Sequence, residues 1–210
     1  MVLGVERIKI GIPVSSRKAG MALALWAALP IAACDGPSFD GYLEPPRQAN
    51  LPNVPLGNDL RQVASFEAEV LLLSRKGYSG LISDDMGKYS PVDFAVAWGN
   101  AARKDVYEEV RIRQSRRFYY WQASAEGWRD PRVRAFGQES ANWHIIPQGD
   151  AVKDVLWEIR EGDVISLKGY LVDIDGGEGM QWRTSKTRND SGAGACEIFL
   201  VTEAQIVPNA

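Results

Sequence analysis

Four segments between residues 60 and 125 carry apolar patterns that predict regular structure. Residues 66–74 alternate apolar and polar side chains, and their later half is apolar on both faces, as in a strand covered on both sides. Residues 92–98 fit either a strand or a short buried helix. Residues 104–110 have valines four positions apart, which favours a short helix, and the aromatic content of 114–123 predicts another strand.

The clearest helical pattern of the chain lies at residues 150–160. The apolar side chains form one stripe, and Asp150 is suited to cap the first turn. Three strands are predicted after this helix, over 164–174, 180–187 and 196–207, with a glycine-rich turn between the first two. Because 164–174 is apolar on both faces, the sheet is expected to be strongly curved and covered.

Together these elements predict an α+β, β-rich domain. Its expected centre is a small, mostly antiparallel curved sheet or barrel with OB-like or SH3-like character. One main helix at about 150–160 accompanies this sheet. No motif in the sequence distinguishes between these architectures.

The first 33 residues have the features of a secretory signal. Arg17 and Lys18 precede an apolar run over 19–33. As a helix this run spans about 22 Å, which is short of the roughly 30 Å of a membrane core. A helix that stays in the membrane is one alternative, and an ordinary signal cut at an Ala-x-Ala site, with Cys34 left as a thiol, is another.

The apolar run ends in Ile31-Ala32-Ala33-Cys34, and this motif resembles the lipobox of bacterial lipoproteins. The resemblance implies cleavage before Cys34 and attachment of diacylglycerol and palmitate-type chains there. It therefore implies that the lipid on Cys34 anchors the chain to a membrane of the bacterial cell envelope, facing the periplasm or the exterior. Asp35 is similar to the residue found here in lipoproteins kept at the inner membrane of enterobacteria-like systems.

Residues 34–59 are rich in proline and lack apolar periodicity. Proline fixes φ and has no donor N–H, so we expect this stretch to join neither a sheet nor a helix. As a semi-extended tether it reaches at most about 75 Å, and the alternative is that part of it packs along the domain as ordered coil. The predicted organisation is a lipoprotein signal over 1–33, a tether over 34–59 and a single β-rich globular domain over 60–210.

Composition and charge exclude several classes of function. The formal net charge of the whole chain is −3, and because the first 33 residues carry a balance of +3, the remainder carries −6. A protein that neutralises phosphates needs a basic surface, so nucleic acid is not an expected partner. One histidine and two cysteines fall short of a disulfide framework or a zinc site, and no metal or cofactor is expected.

The first candidate site contains the single histidine, His144. In an extended segment Ser140, Asn142 and His144 point to the same side, and histidine can act as acid or base near neutral pH. Cys196 with His144 would be the minimal thiol-protease pair. The alternatives are that the three polar groups tie down a loop before Pro147 by hydrogen bonds, and that Cys196 opens a core strand as an inert thiol.

Arginines mark the second candidate site. Arg113, Arg116 and Arg117 run into the aromatic segment 118–121, and basic residues interleaved with aromatic ones bind anionic head groups. Glycines beside Arg188 could cradle an anion through backbone N–H groups. The alternatives are that the aromatic side chains supply core and the arginines surface, and that the stretch around Arg188 is a crossover loop between two strands.

Residues 92–197 resemble a family of uncharacterised bacterial proteins. The resemblance is carried by S-A-N-x-H at 140–144, G-D-x-x-x-x-x-G-Y-L-V at 162–172 and G-x-G-A-C-E at 192–197. It implies no activity. The leading hypothesis is therefore a non-catalytic binding or structural module, held at a membrane and able to take an envelope protein partner. The alternatives are a hydrolase or transferase of an envelope polymer that uses His144 with Ser140 or Cys196, and an anion or lipid-head-group binder.

Overall fold

The computed structural model describes residues 39–78, 84–187 and 196–208. Strand residues (53%) far outnumber helical residues (18%), which confirms the predicted α+β, β-rich class. The strands are β1 (Arg47–Gly57), β2 (Leu60–Gly77), β3 (Val92–Ala97), β4 (Val110–Ser115), β5 (Phe118–Ala123), β6 (Ser140–Pro147), β7 (Val164–Asp175), β8 (Gln181–Trp182) and β9 (Glu197–Val207). The helices are α1 (Lys104–Tyr107), α2 (Pro131–Arg134) and α3 (Asp150–Glu158).

Seven strands form one curved, mixed sheet in the order β1-β2-β3-β6-β9-β7-β8. The long strand β2 pairs with β7 along residues 60–71 and with β3 along residues 71–77. The pairings therefore run from β2 through β3, β6, β9 and β7 and return to β2. Among the described strands only β6 and β9 pair in parallel, which agrees with the mostly antiparallel sheet that was predicted.

The concave side of this sheet holds the main core. Phe66, Trp143 and Phe199 are fully buried there and meet edge to face, with ring centroids 4.9–5.7 Å apart. Each large apolar side chain buried in this way stabilises the fold by about 1.5–3 kcal/mol. A smaller apolar cluster lies around Ile146 and Ile198, and these two positions alternate with Trp143 and Phe199 along β6 and β9.

Residues 114–123 form part of a hairpin rather than the single strand that was predicted. β4 and β5 pair over their whole length and are joined by Arg116 and Arg117, whose φ angles are 50° and 69°. Two successive residues in the left-handed region form the turn that suits a two-residue hairpin loop. Apolar content alone could not reveal this turn because arginine is not a residue that favours it.

The prediction of an unpaired tether up to residue 59 is wrong for residues 47–57. These residues form β1, the edge strand of the sheet, which pairs antiparallel with β2. Pro52 lies where the pairing is interrupted, between Asn50 and Val54, and Pro55 follows the interruption. Prolines are tolerated at sheet edges and irregularities because no ladder partner needs their missing N–H.

Other element boundaries differ in detail from the prediction. Residues 92–97 are a strand, and the helix expected over 104–110 ends at Tyr107. The main helix begins at Asp150 as expected, but Gly149 occupies the cap position and no side chain caps the turn. Only two residues of the strand predicted over 180–187 pair in the sheet. The predicted signal over 1–33 lies outside the described residues.

Candidate functional site

Ser140, Asn142 and His144 lie on one face of β6, and all three side chains are buried. Ser140 Oγ donates to the carbonyl of Phe136 (2.7 Å) and accepts from the Tyr119 hydroxyl (2.6 Å). Ser140 and His144 are four residues apart in a strand, which separates them by about 13 Å along the chain. A direct serine–histidine pair is therefore not formed.

His144 instead belongs to a buried ionic cluster. Its Nδ1 lies 2.8 Å from Oδ1 of Asp93, the residue directly opposite in the β3–β6 pairing. The Trp182 ring packs on the imidazole, with the ring centroids 4.6 Å apart. Both Asp93 and His144 are almost fully buried, so the imidazole has no open approach from solvent.

Arg117, at the hairpin turn, closes the same cluster. Its guanidinium donates to Oδ1 of Asp93 (2.9 Å) and to both carboxylate oxygens of Asp84 (2.8 Å each). It also donates to the carbonyl of Ser90 (2.8 Å) and stacks 3.5 Å from the centre of the Tyr78 ring. We call Asp84, Asp93, Arg117 and His144, with Tyr78, the Asp93 cluster.

Three members of the Asp93 cluster, Tyr78, Asp84 and Arg117, have shifted pKa values. Hydrogen bonds from Arg117 hold the pKa of Asp84 below its usual value of 3.8. Burial and the nearby Asp93 charge raise the pKa of Tyr78 far above its usual value of 10.0. Burial alone would lower the pKa of Arg117, but its hydrogen bond to Asp84 and the charge of Asp93 raise it overall.

The polar side chains of β6 hold the hairpin on the sheet. Asn142 accepts a hydrogen bond from Gln114 Nε2 (2.7 Å) and donates to the carbonyl of Arg117 (3.2 Å), while Tyr119 reaches Ser140. The sequence analysis offered the alternative that these polar groups hold a loop in place by hydrogen bonds. The contacts agree with that alternative, except that the segment held in place is the β4–β5 hairpin. Asp93 was not singled out from the sequence, although an acidic residue inside the apolar run 92–98 signals the need for a buried partner.

Cys196 is half-buried and lies one residue before β9. Extending the β6–β9 register by one position places it opposite Asn142, on the same face as His144. The hydrogen bond and the ring contact of His144 within the described residues go to Asp93 and Trp182, so the thiol-protease pair is not formed.

The predicted arginine site is divided in the structure. Arg113 and Arg116 are exposed on the hairpin, whereas Arg117 points inward and is neutralised by Asp84 and Asp93. The three arginines therefore do not converge on one anion. Arg188, like the lipidation candidate Cys34, lies outside the described residues.

The structure also reveals a large open cleft that no sequence motif indicated. Its volume is about 910 Å³, and it lies between the β1–β2 turn, residues 87–91, the end of β6 and α3. Buried apolar side chains of Leu60, Ile146 and Leu200 contribute to its lining. Trp157 also lines it and is 40% exposed, and the Arg75 guanidinium lies 5.4 Å from the centre of its ring. We call this space the Trp157 cleft.

Two cations and two aromatic rings stand together at the Trp157 cleft. Lys88 Nζ lies 4.8 Å from the centre of the Tyr89 ring, and Lys153 Nζ lies 5.8 Å from the Trp157 ring. Neither lysine forms an ion pair with the described part of the chain. The Tyr89 hydroxyl donates to Asp59 (2.6 Å), and this hydrogen bond raises the pKa of Tyr89. The cleft therefore offers apolar and aromatic surface beside two lysines and the carboxylate of Asp59, which Tyr89 binds.

Within the described ranges no group of three or more histidine, cysteine, aspartate or glutamate side chains is arranged to hold a metal ion. No helix in the same ranges is both long and apolar enough to cross a membrane. Comparison of the chain with protein-family models, with curated proteins and with solved structures found no match.

Proposed function

We propose that this chain is a lipid-anchored binding protein of the bacterial cell envelope, and that the Trp157 cleft binds a small anionic molecule containing a ring. The anchor is supported by the lipobox-like motif that ends at Cys34. The cleft carries the binding proposal, because Lys88 and Lys153, which form no ion pair with described residues, lie beside partly exposed aromatic rings there.

The size and lining of the cleft suit a small ligand. Ligand sites in proteins measure about 300–1,000 Å³ and combine apolar walls with a few polar groups that fix orientation. The 910 Å³ of the Trp157 cleft lies within this range. Trp157 is suited to stack on a ring, and Lys88 and Lys153 are suited to attract an acidic group such as a carboxylate, a sulfate or a phosphate.

The connectivity of the sheet also favours a binding role. We infer that β2, β3, β6, β7 and β9 form a five-stranded OB-type sheet, with α3 between the third and fourth of these strands. OB domains bind ligands on the outer face of their second and third strands and through adjoining loops. On the corresponding strands, β3 and β6, Asp93 and Asn142 contact the chain's own hairpin. The open space beside this covered face is the Trp157 cleft.

A catalytic role for His144 receives less support from these contacts. General acid–base catalysis requires a titratable group within hydrogen-bond reach of the substrate. His144 is buried between Asp93 and Trp182, and neither Ser140 nor Cys196 is its partner. A histidine held in this way stabilises the covering hairpin instead.

Two fluorescent probes test the cleft. Anilinonaphthalene sulfonate carries aromatic rings and one negative charge, and phenylnaphthylamine has the same rings without the charge. We expect the sulfonate to bind more tightly, and we expect Lys88→Gln with Lys153→Gln to weaken its binding about tenfold, since each exposed charge contributes about 1 kcal/mol or less. The matched control is Lys76→Gln with Lys168→Gln, which has the same change of net charge away from the cleft.

The titrations decide whether the lysines of the Trp157 cleft select an anionic probe. Equal binding of both probes, or equal loss in the cleft and control variants, would show that the lysines of the cleft do not select an anion. Trp157→Leu provides the second variant, and it should weaken both probes because it removes the stacking surface. Unchanged binding of both probes by Trp157→Leu would place their site elsewhere.

The anchor is tested separately by mass spectrometry of the mature protein. We expect the native chain to begin at Cys34 and to carry the additional mass of acyl chains, and we expect Cys34→Ser to lack that mass and to leave the membrane fraction. A mature chain that begins at Met1 with an unmodified thiol would overturn the anchor and leave the cleft proposal intact.

A further inference from the structure

We infer that the outward surface of the β4–β5 hairpin docks on the surface of an anionic lipid bilayer. This surface consists of Arg111, Arg113, Arg116, Phe118 and Tyr120, and we call it the hairpin face. All five residues are exposed. Because side chains alternate along a strand, others in the hairpin, such as Tyr119 and Trp121, face the core. The hairpin therefore has one face packed on the core and one basic and aromatic face toward solvent.

No described acidic residue neutralises the positive charges of the hairpin face. Arg111, Arg113 and Arg116 form no ion pair with described residues, whereas Arg117 in the same hairpin is paired with two aspartates. Acidic side chains lie near both ends of the hairpin: Glu108 and Glu109 line a small depression at its base together with Arg111, and Asp84 at the turn is paired with Arg117. Arg113 and Arg116 therefore keep an uncompensated positive charge within the described residues, in a chain with a net charge of −3.

Two aromatic rings accompany these arginines. Phe118 is 39% exposed and Tyr120 is 50% exposed, and their ring centroids lie 6.5 Å apart. The Arg113 guanidinium lies 5.5 Å from the centre of the Tyr120 ring and shares its surface. Arginine beside exposed tyrosine and phenylalanine is the combination that suits the bilayer interface, where rings enter the head-group region and cations meet lipid phosphates.

A bilayer fits the hairpin face better than a nucleic acid strand. Strand binders combine stacking rings with a positively charged groove that follows the phosphate backbone over several nucleotides. The hairpin face is the outer side of a two-stranded ribbon, and its cations cover only β4 and the turn. A bilayer requires no groove, because its lipid phosphates form a flat surface that the hairpin face can contact directly.

This inference is independent of both the Trp157 cleft and the lipid anchor, since none of its residues lines the cleft and the anchor is a separate segment. If both the anchor and the docking hold, the two contacts with the bilayer restrict the orientation of the domain. The test therefore uses the full chain with Cys34→Ser, so that no acyl chain contributes to vesicle binding. The N-terminal segment is identical in every variant that is compared.

The experiment measures co-sedimentation with vesicles of phosphatidylglycerol mixed with phosphatidylcholine, and with vesicles of phosphatidylcholine alone. We expect binding to the anionic vesicles that weakens with added salt. The triple variant Arg111→Gln, Arg113→Gln and Arg116→Gln should reduce this binding about a hundredfold, from the contribution of each arginine near an anionic surface. The matched control replaces Arg47, Arg160 and Lys168 with glutamine, which changes the net charge equally at exposed positions outside the hairpin.

Each outcome decides the inference. Binding that survives in the hairpin variant, or that falls equally in the control variant, overturns it, as does equal binding to both kinds of vesicle. Binding of a single-stranded RNA oligonucleotide in place of the anionic vesicles overturns the choice of a bilayer. A second variant, Phe118→Ser with Tyr120→Ser, should weaken binding at high salt, where the contribution of the rings remains after the charges are screened. Circular dichroism confirms that each variant is folded.

Discussion

Replacing Arg117 with methionine tests whether the Asp93 cluster holds the hairpin on the sheet. The Arg117 side chain is 11% exposed and that of Asp93 is 1% exposed, so their ion pair is shielded from water. Methionine retains an apolar side chain against the Tyr78 ring and removes the charge. The positive φ of position 117 is unfavourable for both residues, so backbone strain cancels in the comparison.

The expected magnitude follows from burial. Removing one partner of a buried ion pair costs about 3–5 kcal/mol, because the remaining charge stays buried without compensation. Asp93 retains His144 as a neighbour, so the lower part of this range, about 3 kcal/mol, is expected for Arg117→Met. Asp84 is 38% exposed and its ion pair is screened by water, so Asp84→Asn should cost only about 0.2–1 kcal/mol.

Urea denaturation followed by tryptophan fluorescence measures these free energies of unfolding. The decisive comparison adds Asp93→Asn to each background. In the Arg117→Met background the asparagine removes the uncompensated charge, so the double variant should be more stable than the sum of the two single losses predicts, by about 0.5–3 kcal/mol. The combination of Asp84→Asn with Asp93→Asn leaves the buried Arg117 without a carboxylate partner, so its loss should exceed the sum of the two single losses.

Two results would refute the reasoning. A loss of less than about 1 kcal/mol for Arg117→Met would mean that the cluster behaves like a surface ion pair. Additive losses for Arg117→Met and Asp93→Asn would mean that the two charges do not stabilise each other in solution.

Three further predictions concern the backbone and the buried phenols. Gly169→Ala should lower the free energy of unfolding in urea by about 3 kcal/mol, because the added Cβ would lie 1.9 Å from a carbonyl oxygen of β9. The control Gly77→Ala, which places its Cβ in open space, should lower it by less than about 1 kcal/mol. Burial raises the pKa of Tyr78 and Tyr119 above 10.0 in the folded protein, so the tyrosines of the unfolded chain ionise first as the pH rises. The free energy of unfolding should therefore fall above pH 10.0, by up to about 1.4 kcal/mol per pH unit for each tyrosine. When both tyrosines are replaced by phenylalanine, the free energy of unfolding should fall less steeply with pH. Arg116→Asn should stabilise the hairpin by about 0.5–1 kcal/mol in thermal unfolding, since asparagine tolerates the φ of 50° better than arginine, and no gain would argue against a strained turn.

Local patterns in the sequence were sufficient to predict the type of most elements. The apolar stripe of 150–160 identified α3, and residues apolar on both faces identified β7 and the later half of β2 as covered strands. Alternation also placed Ser140, Asn142 and His144 on one side of β6. These results depend only on the period of the backbone, 3.6 residues in a helix and 2 in a strand, which each segment carries by itself.

Partners across the chain were decided by the tertiary structure. The proline-rich segment 47–57 joins the sheet because it lies at an edge, and no local pattern records which strand has a free edge. Arg117 differs from Arg116 because the hairpin turn directs it toward two aspartates that lie more than 20 residues away along the chain. The Trp157 cleft likewise exists only where four separate segments meet. Spacing along the sequence determines which side of an element a residue occupies, but only the packing of distant segments determines what it meets there.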